Sequence, residues 1–95
     1  MIRHSVVLKL KHSKDSPEEK EFLEEAWKLK SIPGVQKFEV MKEISSNNTY
    51  EFGISMEFED KESYDFYSKH PEHTRFVEQV WIPNVEVFME IDYLV

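Results

Sequence analysis

The sequence predicts an α+β domain in which four antiparallel strands form one sheet and two helices cover one of its faces. Three observations lead to this prediction. The hydropathy patterns follow the order β-α-β-β-α-β, which is the order of a split βαβ unit. The 95 residues suit one compact domain spanning 1–95. The 40% apolar and 14% aromatic content can fill a single core.

The first strand and first helix have clear signals. Even-numbered residues from Ile2 to Leu10 are mostly apolar, and this period of two predicts a strand with one buried face. Ser16 can cap a helix that starts at Pro17, because proline suits the first helical position. Apolar residues then recur at helical spacing until Pro33-Gly34, where the helix has to end.

The middle of the chain predicts two strands and a second helix. A second extended run covers 35–44, and a polar turn of serine and asparagine follows it. Residues 49–58 alternate most regularly and predict the third strand. Asp60 can cap a helix that continues to about Lys69, where His70-Pro71 interrupts it.

A short helical stretch precedes the last strand and ends at Pro83. The alternation in the last strand predicts that its apolar residues pack against the helices; these are Val85, Val87, Met89, Ile91 and Tyr93. The opposite face of the sheet would then be mixed and could be either solvated or paired with a second copy of the chain. The complete pattern is that of the ferredoxin-like fold.

Composition excludes several classes of function. Twelve basic and nineteen acidic residues give a net charge of −7, which argues against nucleic acid and anionic membranes as partners. The absence of cysteine excludes disulfides and thiolate chemistry, and suits a cytoplasmic location. His70 and His73 lack a third ligand nearby in sequence, so no metal site is predicted. No phosphate-binding loop is present, and no cofactor is expected.

Four motifs together resemble the Dabb family, the stress-responsive dimeric A/B barrel domains. These are the opening residues 2–9, the segment 32–40 with its Ile-Pro-Gly-Val, the segment 67–76 with His-Pro-x-His, and Asp92-Tyr93 near the end. The resemblance implies a ferredoxin-like unit that pairs through its sheet face into a homodimeric α+β barrel. It also implies kinship to cofactor-free cyclases of the olivetolic acid cyclase type.

The resemblance assigns candidate roles to particular residues. His73 matches the cyclase base, Tyr67 matches the assisting tyrosine, and His4 matches a further pocket histidine. Phe52 stands where these cyclases carry a histidine, which makes the pocket more apolar. An apolar or aromatic small molecule is the implied ligand. The expected pocket residues are His4, Val6, Leu8, Phe22, Leu23, Phe52, Ile54 and Phe76.

The residue types support this chemistry independently of the resemblance. A neutral histidine can take a proton near pH 7, and a tyrosine hydroxyl can stabilise a developing enolate oxygen. Each residue also has a purely structural interpretation, in which the histidines bond within the core and the tyrosine fills space. Two other functions stay open at this point: a non-catalytic stress-related structural protein with a filled core, and a haem-linked monooxygenase of the wider dimeric barrel superfamily.

Overall fold

A computed structural model of the chain describes residues 1–95. The elements are β1 (Ile2–Leu10), α1 (Pro17–Trp27), β2 (Gln36–Lys42), β3 (Phe52–Phe58), α2 (Lys61–Lys69), α3 (Pro71–Phe76), α4 (Ile82–Asn84) and β4 (Val85–Leu94). A 3₁₀ segment, Lys28–Ser31, extends α1, and a π-helical segment, Val77–Trp81, follows α3. The strands form one sheet of order β2-β3-β1-β4. All neighbouring strands are antiparallel, which confirms the predicted fold class.

The predicted helix caps are confirmed. The Ser16 side chain accepts a hydrogen bond from the backbone N–H of Glu19, and Asp60 accepts one from Ser63 at 2.9 Å. Each cap satisfies an N–H group that has no partner inside its helix. After the first helix, Gly34 adopts a φ of 92°, which only glycine occupies without strain. The caps and this turn fix where the helices start and how the chain returns to the sheet.

The core lies between the sheet and the helices. Phe22 and Ala26 of α1 belong to one buried cluster with Leu8 of β1 and Phe58 of β3, and all four are at most 2% exposed. Phe76 of α3 belongs to the same cluster. Since buried helical and strand residues form one continuous cluster, all helices cover the same face of the sheet.

The predicted orientation of β4 is wrong from Val87 onwards, whereas Val85 lies in the core as predicted. Val85 pairs with Leu10, but Val87 pairs with Lys9, so Glu86 is an extra residue in the strand. Such a bulge changes which side chains face which side of the sheet. As a result, Phe88 and the two acidic residues that follow it at alternate positions share the helix-covered face. Val87 and the other apolar residues of β4 share the opposite face; these are Met89, Ile91 and Tyr93.

The corrected register gives the uncovered face of the sheet an apolar centre. Met89 pairs with Val7, which in turn pairs with Gly53. Met89 is 46% exposed and Tyr93 is 51% exposed, which is unusual for large apolar side chains of one strand. We call this surface the outer face; its apolar residues are Val7, Met41, Gly53, Val87, Met89, Ile91 and Tyr93. None of the helices has the length and apolarity that a membrane crossing requires.

Candidate functional site

A cavity of about 410 Å³ lies between the sheet and the helical region that follows β3. This volume lies within the range of small-molecule sites. Most of the wall is apolar, and histidine, tyrosine, serine and glutamate side chains interrupt it. The lining residues are His4, Val6, Leu29, Ile54, Met56, Tyr64, Tyr67, Ser68, His73, Phe76, Val77, Trp81, Ile82, Phe88 and Glu90.

The residues predicted to form a pocket divide into two groups. Those that line the cavity are His4, Val6, Ile54 and Phe76, together with the candidate catalytic pair His73 and Tyr67. Those that lie outside its wall are Leu8, Phe22, Leu23 and Phe52. The Phe22 ring packs 5.9 Å from Phe76 and 6.1 Å from Trp81, measured between ring centroids. The core below α1 therefore closes this end of the space.

Tyr67 is held in the cavity wall with an unused hydroxyl. The residue is 2% exposed, and its ring contacts the rings of Phe58 and His73. No other group of the chain forms a hydrogen bond with this hydroxyl. Every side-chain oxygen that is fully shielded from solvent has a hydrogen-bond partner, so the Tyr67 oxygen is not fully shielded. The hydroxyl oxygen must therefore reach the cavity space. Burial and the nearby charge of Glu90 raise the pKa of Tyr67 above its ordinary value, so the group stays a hydrogen-bond donor.

His73 presents a basic nitrogen beside this tyrosine. Its Nδ1 lies 3.0 Å from the carbonyl oxygen of Ser68 and must donate, because a carbonyl only accepts. In the neutral ring, Nε2 is then the nitrogen with a free electron pair. Burial lowers the pKa of His73 below its ordinary value, which keeps the ring neutral at pH 7. The His73 and Tyr67 ring centroids are 4.6 Å apart, so one small ligand can touch both.

His4 belongs to a polar cluster at the other end of the cavity. Its Nδ1 lies 2.7 Å from Asp92 Oδ1 and 2.8 Å from the Tyr64 hydroxyl. The single proton of that hydroxyl is shared between Asp92 Oδ2 at 2.8 Å and Glu90 Oε1 at 3.2 Å. Burial, with the Asp92 hydrogen bond next, raises the pKa of Tyr64 well above its ordinary value. The cluster therefore contains a protonated tyrosine, a histidine and two carboxylates.

A family comparison agrees with this fold. The family described as the stress responsive A/B barrel domain, Dabb, matches residues 2–95. The chain belongs to the Dabb family. A Dabb family protein with a ferredoxin-like fold from Mesorhizobium loti is 50% identical, with a TM-score of 0.97, and the match covers 99% of this chain and 95% of that one.

Among structures with lower sequence identity, the similarity to this chain is one of fold only. A dimeric protein of unknown function from Bacteroides fragilis is 21% identical, with a TM-score of 0.76 and coverage of 99% of this chain and 95% of that one. A hydroxynitrile lyase from Passiflora edulis is 13% identical, with a TM-score of 0.87 and coverage of 99% and 92%. No curated protein matches the sequence.

Sequence reasoning missed several side chains of this Dabb cavity. Tyr64 is not among the predicted pocket residues, although its spacing of three residues from Tyr67 places both on one side of α2. The alternation predicted for β4 places Glu90 and Asp92 on the uncovered face, because it does not include the bulge at Glu86. Their spacing of two along a strand already predicted that they would share a face; only the choice of face was missing.

One group of side chains has the composition of a metal site. His4, Glu90 and Asp92 each place a ligand atom within 4.8 Å of the others. Binding through His4 Nδ1 would require this nitrogen to give up the proton that it donates to Asp92. The pair considered from the sequence does not form such a group, because His70 caps α3 through the Glu72 N–H and His73 bonds Ser68.

The burial of His73 predicts a pH dependence of stability. The folded protein binds a proton at His73 less readily than the unfolded chain does. The unfolded state therefore takes up more protons as the pH falls below about 6.5, and the free energy of unfolding decreases. The amide of His73→Asn can still donate to Ser68 but does not titrate. We expect the free energy of unfolding of this variant to fall less steeply with decreasing pH than that of the native protein. Urea unfolding of both proteins between pH 7.5 and 5 measures this pH dependence. The same change in free energy of unfolding with pH in both proteins would contradict the expectation.

Proposed function

We propose that this Dabb protein is a homodimer whose cavity binds an apolar or aromatic small molecule, and that His73 and Tyr67 catalyse cofactor-free proton transfer on it. The observation that carries the proposal is the Tyr67 hydroxyl, which has no hydrogen-bond partner in the chain and faces a cavity of about 410 Å³ beside the neutral His73 ring. A filled core would not leave a polar group in this state. The lack of cysteine suits the cytoplasmic location that we also propose.

The proposed chemistry uses both groups in one step. His73 Nε2 takes a proton from the carbon next to a ligand carbonyl, and the bonding electrons move to the carbonyl oxygen. Tyr67 donates a hydrogen bond to this enolate oxygen and stabilises its charge. In an aldol-type ring closure, the enolate carbon then attacks a second carbonyl, and the resulting alkoxide recovers the proton from His73. The apolar wall strengthens both interactions because it excludes water.

The homodimer is proposed to form through the outer face. Its apolar centre, around Val7 and Met89, has no partner within the chain. Dimeric proteins of this fold from Bacteroides fragilis and Thermobifida fusca give the proposal further support. Pairing of two such faces would bury the exposed apolar residues and leave the helices outside.

Ligand binding is tested first by thermal unfolding with neutral phenols and β-keto compounds and with aromatic acids. A ligand at 100 times its Kd adds about 2.7 kcal/mol of stability, which raises Tm by several degrees. We expect such a shift in the native protein and in His70→Asn. His70 does not line the cavity, and asparagine preserves its capping role. No shift with any compound would contradict a ligand-binding function.

Proton transfer is tested by deuterium exchange into the methyl group of acetophenone in D₂O, followed by NMR. A positioned general base contributes about 10²–10⁴-fold to such a step. We expect His73→Asn to lose this acceleration, Tyr67→Phe to lose part of it, and His70→Asn to retain it. Binding without any exchange above the buffer rate would contradict the catalytic part of the proposal and leave the binding part standing.

A further inference from the structure

The cavity contains negative charge without any basic side chain except histidine. Its fifteen lining residues include Glu90 but no lysine or arginine. Asp92 lies two residues further along β4, on the same face of the sheet, and bonds to His4 at the cavity wall. The end of the cavity near His4 therefore has the Glu90 carboxylate in its wall, and the Asp92 carboxylate lies close by, bonded to His4.

Few positively charged groups or hydrogen-bond donors lie close to these carboxylates. No lysine or arginine nitrogen lies within 4.0 Å of either one; their single basic neighbour is His4, at 2.7 Å from Asp92 and 3.6 Å from Glu90. The Tyr64 hydroxyl supplies one proton, which Asp92 and Glu90 share. Glu90 Oε2 accepts no hydrogen bond from the chain and keeps its full acceptor capacity. The side chain of Glu90 is 51% exposed, so a ligand can reach it.

The apolar part of the wall suits a cation as well. The rings of Tyr67, Phe76, Trp81 and Phe88 line the cavity. The faces of aromatic rings attract cationic groups, most strongly where water is excluded. An anionic ligand, by contrast, would meet the Glu90 carboxylate, with Asp92 close to it, and no lysine or arginine in the wall.

We infer that this cavity selects ligands with an aromatic or apolar body and a protonated amine, that the ammonium group binds at Glu90, and that carboxylates are rejected. The inference rests on the proposed small-molecule function and narrows it to one class of ligand. Glu90 acts here as a specificity-determining residue, since it touches the ammonium group and takes no part in the proton transfer at His73.

Three probes of nearly the same size test the inference. Benzylamine, benzyl alcohol and benzoate share one ring and differ in charge. Their Kd values are measured by calorimetry at pH 7.5, with EDTA present so that no metal ion occupies His4, Glu90 and Asp92. We expect benzylamine to bind at least tenfold more tightly than benzyl alcohol, and benzoate to bind most weakly. The comparison needs no variant, so it does not depend on the folding of one.

Two variants then locate the effect. Glu90→Gln preserves shape and removes one charge, and we expect it to bring the Kd of benzylamine close to that of benzyl alcohol. Glu86→Gln removes a charge from the same strand outside the cavity, where Glu86 pairs with Lys9, and should preserve the tenfold preference. Equal loss of preference in both variants would show a general effect of net charge and overturn the role of Glu90.

The other outcomes separate the two proposals. If benzyl alcohol or benzoate binds as tightly as benzylamine, the inference is overturned and the small-molecule function stands. If none of the three probes binds and no compound of the thermal screen binds either, the proposed function fails, and the inference fails with it.

Discussion

Replacing Met89 with aspartate is expected to convert the proposed dimer into monomers. Met89 pairs with Val7 near the centre of the outer face and is 46% exposed within one chain. A carboxylate buried there without a partner costs several kcal/mol, and the symmetry of a dimer introduces it twice. Because the side chain is half-exposed in the monomer, the fold itself should tolerate the change.

Sedimentation equilibrium at micromolar concentration measures this result. The native protein should have twice the monomer mass of 11.4 kDa, and Met89→Asp should have 11.4 kDa. Ile44→Asp is the matched control, because Ile44 is 90% exposed in the loop between β2 and β3 and should leave the dimer intact. A dimeric Met89→Asp with unchanged circular dichroism would place the contact on another surface.

Replacing Phe58 with alanine is expected to produce the largest loss of stability. Phe58 is fully buried, and its ring stacks on the ring of Tyr64 and packs against that of Tyr67. The distances between ring centroids are 5.0 Å and 5.1 Å. Removing a buried phenyl ring costs about 3–5 kcal/mol through lost burial and the cavity that it leaves. The same change removes the support below both tyrosines of the candidate site, so ligand binding should weaken as well.

Urea unfolding at equal protein concentrations measures the stability change, since the unfolding of a dimer depends on concentration. Phe66→Ala is the matched control: Phe66 is 53% exposed on α2, and we expect a change within about 0.5 kcal/mol. A loss below about 1 kcal/mol for Phe58→Ala would show that the neighbouring side chains can close the space.

Local sequence signals determined most of the fold of this protein. The caps at Ser16 and Asp60 and the turn at Gly34 depend on interactions between close neighbours in the chain, which a sequence displays directly. The order of strands and helices followed from periodicity. The resemblance to the Dabb family directed attention to His73 and Tyr67, and the structure places their rings 4.6 Å apart.

The tertiary structure alone decided which face of β4 meets the helices. A period of two shows that Val87 and Met89 share one face and that Glu90 and Asp92 share the other, but it does not show which face is covered. The extra residue at Glu86 sets this choice through pairing with β1, more than seventy positions away in sequence. The apolar outer face and the carboxylates at the cavity both result from that long-range register, which no local pattern encodes.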